Sequence, residues 1–433
     1  MPKIDDPVER FVSVVKFYLS GWHIKPPGVK KPLNPILGET FGCYWEYPDH
    51  TRGYYISEQT SHHPPKSSYF FMAPEHYIRI DGTLKPRSRF LGNSAASLME
   101  GIAILRLTNR GTSRGGERYI LTQPNMYARG ILFGKMKYEL GDHSFVRCPE
   151  HNLVADLEFK TKGYFGGTYN AIGGIIKNEK TGEALYELSG LWTEQMYIKN
   201  LRDGHKELLF DATHAKHSPP LTRPIEQQDE RESQRLWMST CQAIKKRDHD
   251  AATEEKTKIE DRQREEAAKR ADEGLDWNPR LFRRVRGGPS GSEEGDEDLD
   301  WIINAKVDGP TPEAQAQQIL SITPILPNQI QKRLEIPPRR SSQISPEPSP
   351  VTNKPAQATN DVGGDLIDFG FSEPASTPAP GPTKSHETTQ KQSTNHDLPP
   401  GLQAPLIPTV AQPIKRQDTE SSDIDVFVDA AEG

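Results

Sequence analysis

Between residue 41 and about residue 200, apolar residues recur in short runs, and that pattern admits few folds. Leu153, Ala155, Leu157 and Phe159 alternate along the chain, the period of a strand with one buried face. Tyr54–Ile56, Ile102–Leu107, Tyr119–Thr122, Ala184–Leu188 and Leu191–Trp192 add further short strands with turn residues between them. Tyr77–Ile80, then Asp81-Gly82, then Thr83–Lys85 predict a two-residue hairpin. Many short strands joined by tight turns favour an antiparallel sheet that curls or closes on itself, and such a sheet can enclose a ligand cavity. The fold expected is mainly β with flanking helices (α+β).

Helical patterns flank this region. Residues 7–22 carry Val8, Phe11, Val14, Val15, Tyr18 and Leu19 at helical spacing, which predicts a helix packed on the core. After Pro224, residues 225–247 and 251–271 are rich in helix formers. Leu236, Trp237, Cys241 and Ile244 form the expected apolar stripe of the first segment. In the second, Lys256, Glu260 and Arg264 share one face at i, i+4 and i+8, which alone describes a solvated helix with intrahelical ion pairs.

Composition then changes. About half of the 37 prolines fall after residue 290, where aromatic residues nearly vanish. The charge is about −12 from residue 290 onward against about +6 before it, within a net of −6. Residues 286–433 are therefore expected to be a disordered tail, leaving one domain over 1–285. The modest positive charge of that domain suits an anionic membrane surface and falls short of a nucleic-acid binder. Cys43, Cys148 and Cys241 show no CxxC spacing, which favours a reducing cytosol. The first residues lack a signal peptide's apolar core, and no run of about 18 apolar residues occurs, so any membrane association is expected to be peripheral.

The densest chemistry lies in Glu58-Gln59-Thr60-Ser61-His62-His63-Pro64-Pro65. The prolines enforce a stiff, non-helical segment, and two adjacent imidazoles can donate to an anion. Glu58 with the histidines lacks the i, i+4 helical spacing of a zinc hydrolase, and no GxSxG elbow is present, so neither a metal nor an enzyme is expected. Upstream, Lys30-Lys31-Pro32-Leu33-Asn34-Pro35-Ile36-Leu37-Gly38-Glu39 must be an extended loop entering a strand.

The octapeptide resembles the fingerprint of the oxysterol-binding protein family, and Lys-Pro-x-Asn-Pro-x-x-Gly-Glu is similar to its second signature. Lys-x3-Glu-x2-Gln-Arg over 256–264 and Trp277-Asn278-Pro279-Arg280-Leu281-Phe282 resemble two further segments of the same domain. The resemblance spans roughly residues 7–285. It implies an incomplete antiparallel β-barrel around a lipid tunnel, with phosphatidylinositol 4-phosphate and one other lipid as alternative cargoes. By resemblance Lys31 and Asn34 contact the headgroup, His62 and His63 bind the 4-phosphate, and Lys256 and Arg264 bind phosphate with Glu260 holding them in position. Gly82 to Ser94 resembles the fungal Osh branch that exchanges phosphatidylserine, which gives Ser88, beside Arg87, the serine headgroup. Family domains begin with further helices and a lid, and no lid candidate precedes the Lys-Pro-x-Asn-Pro motif.

The last residues resemble the motif of two phenylalanines in an acidic tract that docks on endoplasmic-reticulum VAP receptors. Phe427, Asp429, Ala430 and Glu432 match it, and Val426 and Val428 depart from the commonest residues. Asp365–Phe371 is an apolar island of adaptor-ligand type. The function expected is non-vesicular exchange of phosphatidylserine for phosphatidylinositol 4-phosphate by a cytosolic protein peripherally bound at endoplasmic-reticulum contact sites, with no cofactor. The alternatives are a sterol exchanger or a lipid-regulated scaffold acting through the tail.

Overall fold

The computed structural model describes residues 1–23, 33–112, 115–130, 136–163, 166–286 and 299–330, with the backbone of 339–340. Helix α1 (Pro7–Ser20) comes first. The Asp6 carboxylate caps it, accepting from the N–H groups of Val8 at 2.9 Å and Glu9 at 2.8 Å. Phe11, Val14, Val15 and Leu19 are buried, as their spacing predicts.

One antiparallel sheet of fifteen strands follows. Its strands are β1 (Thr40–Glu46), β2 (Arg52–Ser61), β3 (Lys66–Ala73), β4 (Ile78–Leu84), β5 (Pro86–Phe90), β6 (Ser94–Met99), β7 (Ile102–Leu107) and β8 (Glu117–Leu121). The rest are β9 (Asn125–Arg129), β10 (Lys137–Cys148), β11 (Leu153–Lys160), β12 (Ala171–Asn178), β13 (Ala184–Leu191), β14 (Gln195–Asn200) and β15 (Lys206–Asp211). The main path runs β1-β2-β3-β4-β7-β8-β10-β11-β12-β13-β14-β15, and β5, β6 and β9 form a side leaf attached to β10. Strand β10 serves both: Val146 and Arg147 pair with β8, Lys137 to Gly141 pair with β9, and Asp142 (φ 68°) turns the chain between them. The sheet is not closed, since its end strands β1 and β15 do not pair, in keeping with the expected incomplete barrel. Isolated bridges from Tyr44 to Leu221 and from Thr40 to Glu232 cover the outer edge of β1.

Helix α1 lies on the inner face. Its apolar stripe joins one core with Leu105 and Leu107 of β7, Tyr119 of β8, Val146 of β10 and the alternating residues Leu153, Ala155, Leu157 and Phe159 of β11. A buried ion pair pins it there. Arg10 donates to Glu117 through Nε at 2.8 Å and Nη2 at 2.6 Å, while its Nη1 donates to the Ile4 and Asp5 carbonyls.

Three sequence expectations need correction. Asp81-Gly82 is not a hairpin turn but the centre of β4, which pairs with β3 and β7 along its whole length. Asp81 is buried and takes Arg79 at 2.8 Å and Arg106 at 3.4 Å. Gly82 is present because a side chain there would collide with the Tyr69 ring. The first helical segment after Pro224 is broken into α2 (Ser233–Leu236) and α3 (Met238–Lys245). From α2 to the end of α3 the buried residues are Trp237, Thr240 and Ala243, while Cys241 and Ile244 are exposed. Trp237 at the break turns inward to donate to Glu39. The second segment is one helix, α4 (His249–Asp272), as expected.

The third correction concerns the end of the fold. After α4 come short strands β16 (Leu275–Asp276) and β17 (Phe282–Arg284), and structure resumes beyond 285. Strand β18 (Trp301–Ile303) pairs with β17, α5 (Pro312–Leu320) follows, and β19 (Arg339–Arg340) pairs with β16. Trp301, Ile303, Val307, Ile319, Ile322 and Ile325 pack on Tyr54, Ile56, Phe70 and Met72, on the outer face of β2 and β3. The hydrophobic effect overrides the polar average here: a few well-spaced apolar residues suffice when the sheet already offers their partner face.

Candidate functional site

Strand β2 ends at Ser61 and delivers His62 and His63 into the turn before β3. Their rings meet edge to face with centroids 4.6 Å apart. His62 Nε2 lies 2.9 Å from the side-chain nitrogen of Gln263 on α4. The other end of the same amide, Oε1, accepts from Leu37 N–H at 2.6 Å. One buried glutamine therefore joins three sequence motifs: the proline-bounded loop, the histidine turn and the polar helix. Helix α4 is otherwise polar, and Ala252 and Gln263 are its buried residues.

The loop is held independently. The Gly38 N–H donates to the Gln59 carbonyl at 2.9 Å, and the Gln59 N–H donates to the Glu39 carbonyl at 2.8 Å. Gly38 has φ +76°, and a Cβ there would strike the Trp277 ring. That contact makes the glycine necessary and seats the Trp277–Phe282 segment against the loop. Glu39 is buried and accepts from Ile36 N–H at 2.9 Å, Ser233 Oγ at 2.6 Å and Trp237 Nε1 at 3.1 Å. Glu58 accepts from the N–H groups of Arg280 and Leu281, both at 2.7 Å. Burial pushes its carboxyl up to about 7, against the opposite pull of those donors. Both acids thus brace the loop and the closing segment.

Lys256 and Arg264 flank Glu260 on α4, each with a nitrogen 3.7 Å from a Glu260 oxygen, and Arg264 also pairs with Asp261. Gln263 sits beside Arg264 and two turns beyond Lys256, about 10 Å along the axis. Gln263 thus links His62 and the loop carrying Asn34 to the helix that bears Lys256, Glu260 and Arg264, while His63 is exposed and the Arg264 side chain is 60% exposed. Lys31 lies outside the described residues, as do Phe427, Asp429, Ala430, Glu432 and the Asp365–Phe371 island.

Arg87 and Ser88 occur elsewhere, on edge strand β5, where both are exposed. As consecutive strand residues they project from opposite faces. Arg87 pairs with Glu100 at 2.5 Å. The sequence reading also missed Asp300. Its carboxylate takes Lys66 and Lys85, both at 2.8 Å, fastening the C-terminal segment to the strand that follows the histidine turn. Burial raises this carboxyl, but the two ammonium groups outweigh it and hold the group below its ordinary range.

The inner face of β2 and β3 supplies a second surface. Tyr55 and Tyr69 stack there with centroids 6.0 Å apart. Both are only partly covered, yet burial pushes the Tyr55 hydroxyl up to about 12 and the Tyr69 hydroxyl up as well. Tyr69 packs against the core that α1 completes, so this surface borders that core. Glu117, Cys148 and His151 also cluster within 4.8 Å, but Arg10 already supplies the positive charge that a cation would bring.

An open sheet with an aromatic inner face and a polar and cationic cluster at one strand end defines a lipid-binding domain. The family model described as "Oxysterol-binding protein" matches residues 2–308, and the chain belongs to that family of lipid-binding and transfer proteins. The match extends past residue 285, through β18. The chain is 52% identical over 338 residues to "Oxysterol-binding protein-like protein OBPa" of Candida albicans, covering 77% of this chain and 76% of the relative. It is 51% identical over 331 residues to "Oxysterol-binding protein homolog 7" of Saccharomyces cerevisiae, covering 75% and 73%. Among solved structures, the Osh1 ORD domain in complex with cholesterol superposes with a TM-score of 0.58 at 22% identity, covering 73% of this chain and 78% of that one. The Osh3 ORD in complex with PI(4)P gives 0.50 at 21%, covering 75% and 82%. These two share the fold.

Proposed function

We propose that this chain is a non-enzymatic carrier exchanging phosphatidylserine for phosphatidylinositol 4-phosphate between the endoplasmic reticulum and other membranes at contact sites. The observation that carries the reading is the Gln263 junction, which ties His62 to the Leu37 loop on the helix that bears Lys256, Glu260 and Arg264. A phosphate monoester with charge near −2 needs several convergent donors when it leaves water. His62, His63, Lys256 and Arg264 supply them, Glu260 spaces the two cations, and Lys31 and Asn34 reach the headgroup from the loop. Ser88 takes the serine headgroup of the other cargo, with Arg87 behind it. Acyl chains need only an apolar wall, for which the inner face around Tyr55 and Tyr69 is suited. No cofactor is required, because exchange makes and breaks no covalent bond. Phe427, Asp429, Ala430 and Glu432 would dock the tail on a VAP-type receptor, leaving the domain free to reach a second membrane.

The cholesterol complex of the Osh1 domain, which shares this fold, favours a second reading with sterol as the other cargo. Extraction from liposomes containing both candidates, with mass spectrometry of co-purifying lipid, separates the two. His62→Ala/His63→Ala is expected to abolish phosphoinositide extraction and to spare phosphatidylserine more. Equal loss of both by a folded variant counts against one shared site.

A further inference from the structure

The side leaf ends in a hairpin whose tip lies beyond Arg87 and Ser88, the residues given to the serine headgroup. Residues 87 to 93 are all exposed. At the tip Phe90 is 67% exposed and Leu91 46%. The turn chemistry lies in Gly92 (φ +78°) and Asn93, and a Cβ at Gly92 would meet no atom within 4 Å, so the tip stands clear of the protein.

The leaf is two-faced. Phe90 pairs with Ala95, Ala95 with Ala128, and Ala128 with Tyr138, so these four share one face. Ser97 and Met126 lie in the next row of that face. Met126 is 42% exposed and Tyr138 43%, but Ala95 and Ala128 between them and Phe90 are buried, so the exposed apolar tip is confined to Phe90 and Leu91. The alternate positions of β5, Arg87 and Arg89, project from the other face. Arg129 and Lys137, in register with each other, lie on that same side one row beyond Arg89 towards the tip, where Arg129 meets Glu139 at 3.2 Å, as Arg87 meets Glu100 at 2.5 Å.

Edge-strand protection accounts for Pro86 and the arginines, since charge and proline discourage strand addition. It does not account for an aromatic and a leucine at a solvent-facing tip. Basic residues flanking an exposed apolar tip match the interface of an anionic bilayer, where apolar side chains enter the acyl boundary and arginines meet the headgroups. A protein partner would need a complementary groove or a broad face, whereas this tip is two residues wide.

We propose that the Phe90-Leu91 hairpin tip, flanked by Arg89, is the element with which this domain docks on anionic bilayers. The proposal rests on the reading of the chain as a carrier that touches membranes, and it concerns docking rather than headgroup recognition.

The test is flotation of the full chain with phosphatidylcholine vesicles, with and without about one third phosphatidylserine, alongside calorimetry with a water-soluble dibutanoyl phosphatidylinositol 4-phosphate. Phe90→Ser/Leu91→Ser is expected to weaken binding to anionic vesicles by about 10-fold or more. Arg89→Glu is expected to lose about 10-fold on anionic vesicles and nothing on neutral ones. Both should bind the soluble ligand as the unmodified protein does. A fluorophore on Leu91→Cys, in a Cys241→Ser background, should shift to the blue on anionic vesicles. Unchanged vesicle binding by the serine variant, or no blue shift, overturns the proposal. If the unmodified chain ignores the soluble ligand, the headgroup assignment fails while flotation still decides the hairpin.

Discussion

Replacing Gln263 separates a headgroup site from a mere fastening of the loop. Its amide spans a 2.6 Å bond from Leu37 N–H and a 2.9 Å contact with His62, at 7% exposure. Gln263→Leu keeps the bulk and removes both bonds. One partly buried N–H left without its acceptor costs about 1–3 kcal/mol, and a lost neutral hydrogen bond about 1 kcal/mol. The loop does not detach, because Gly38, Glu39 and the Arg231 bond to the Leu37 carbonyl at 2.8 Å still hold it. A global loss of about 2 kcal/mol by urea denaturation is therefore expected, with about 10- to 100-fold weaker binding of soluble phosphatidylinositol 4-phosphate. Gln263→Glu is the decisive partner. It keeps an acceptor for Leu37 but sets a carboxylate beside the phosphate, so stability should be nearly retained while affinity falls at least as far. If Gln263→Glu binds the ligand as well as the unmodified protein, the phosphate does not lie at this junction and the argument fails.

Two further outcomes follow from the same packing. Glu58 has its carboxyl raised to about 7 in the fold from an ordinary value near 4.5, so the folded state holds its proton longer than the unfolded chain. Its stabilising contribution is complete below about pH 4.5 and is lost as pH rises through about 7, an effect of up to about 3 kcal/mol. Denaturation of the full chain from pH 4.5 to 8 should show this decline, and Glu58→Gln should flatten it; parallel curves would refute the assignment. A chain ending at residue 285 should fail to fold, whereas one ending at 345 should melt like the full chain, as read by size exclusion and thermal unfolding. At about 2 kcal/mol for each of Trp301, Ile303, Ile319, Ile322 and Ile325, the lost burial of about 10 kcal/mol rivals the whole stability of a typical domain.

How much of this was legible in the sequence depended on whether a local signal had a local cause. Helix α1 and the alternation of β11 were readable, because one buried stripe or face repeats at the period of its element. Asp81-Gly82 misled because its composition answers a cross-strand demand, an ion pair with Arg79 and Arg106 and the neighbouring ring of Tyr69. The break at Trp237 was unreadable for the same reason, since its partner Glu39 lies nearly two hundred positions away in the chain. Gln263 sat inside a recognised motif, yet nothing in a helix polar on every side marks which polar residue faces inward. The C-terminal segment did leave a signal, Trp301-Ile302-Ile303 and then Ile319, Ile322 and Ile325 three apart, which the surrounding proline and acid outweighed in a compositional average.

The two faces of the sheet are covered by different elements. Helix α1 takes the inner face over β7, β8 and the strands beyond β10, using the most apolar alternation in the chain. Residues 299–326 take the outer face of β2 and β3, and Val285, Leu299 and Ile302 cover Ile104 of β7. The inner face of β2 and β3 is treated differently, with Ser57, Ser67, Tyr55 and Tyr69 mixing hydroxyls and rings where a structural core would place aliphatic residues. Tyr69 meets the core that α1 completes, so the face joins that core through a ring that also carries a hydroxyl. The serines of the face are partnered, Ser57 Oγ donating to the Phe41 carbonyl at 3.5 Å and Ser67 Oγ to the Gln59 side-chain oxygen, so the face is polar without unsatisfied serine hydroxyls. The strands holding this mixed face run directly into the His62 turn, so on the proposed reading a single amphiphile with its chains along β2 and β3 would present its headgroup to the Gln263 junction.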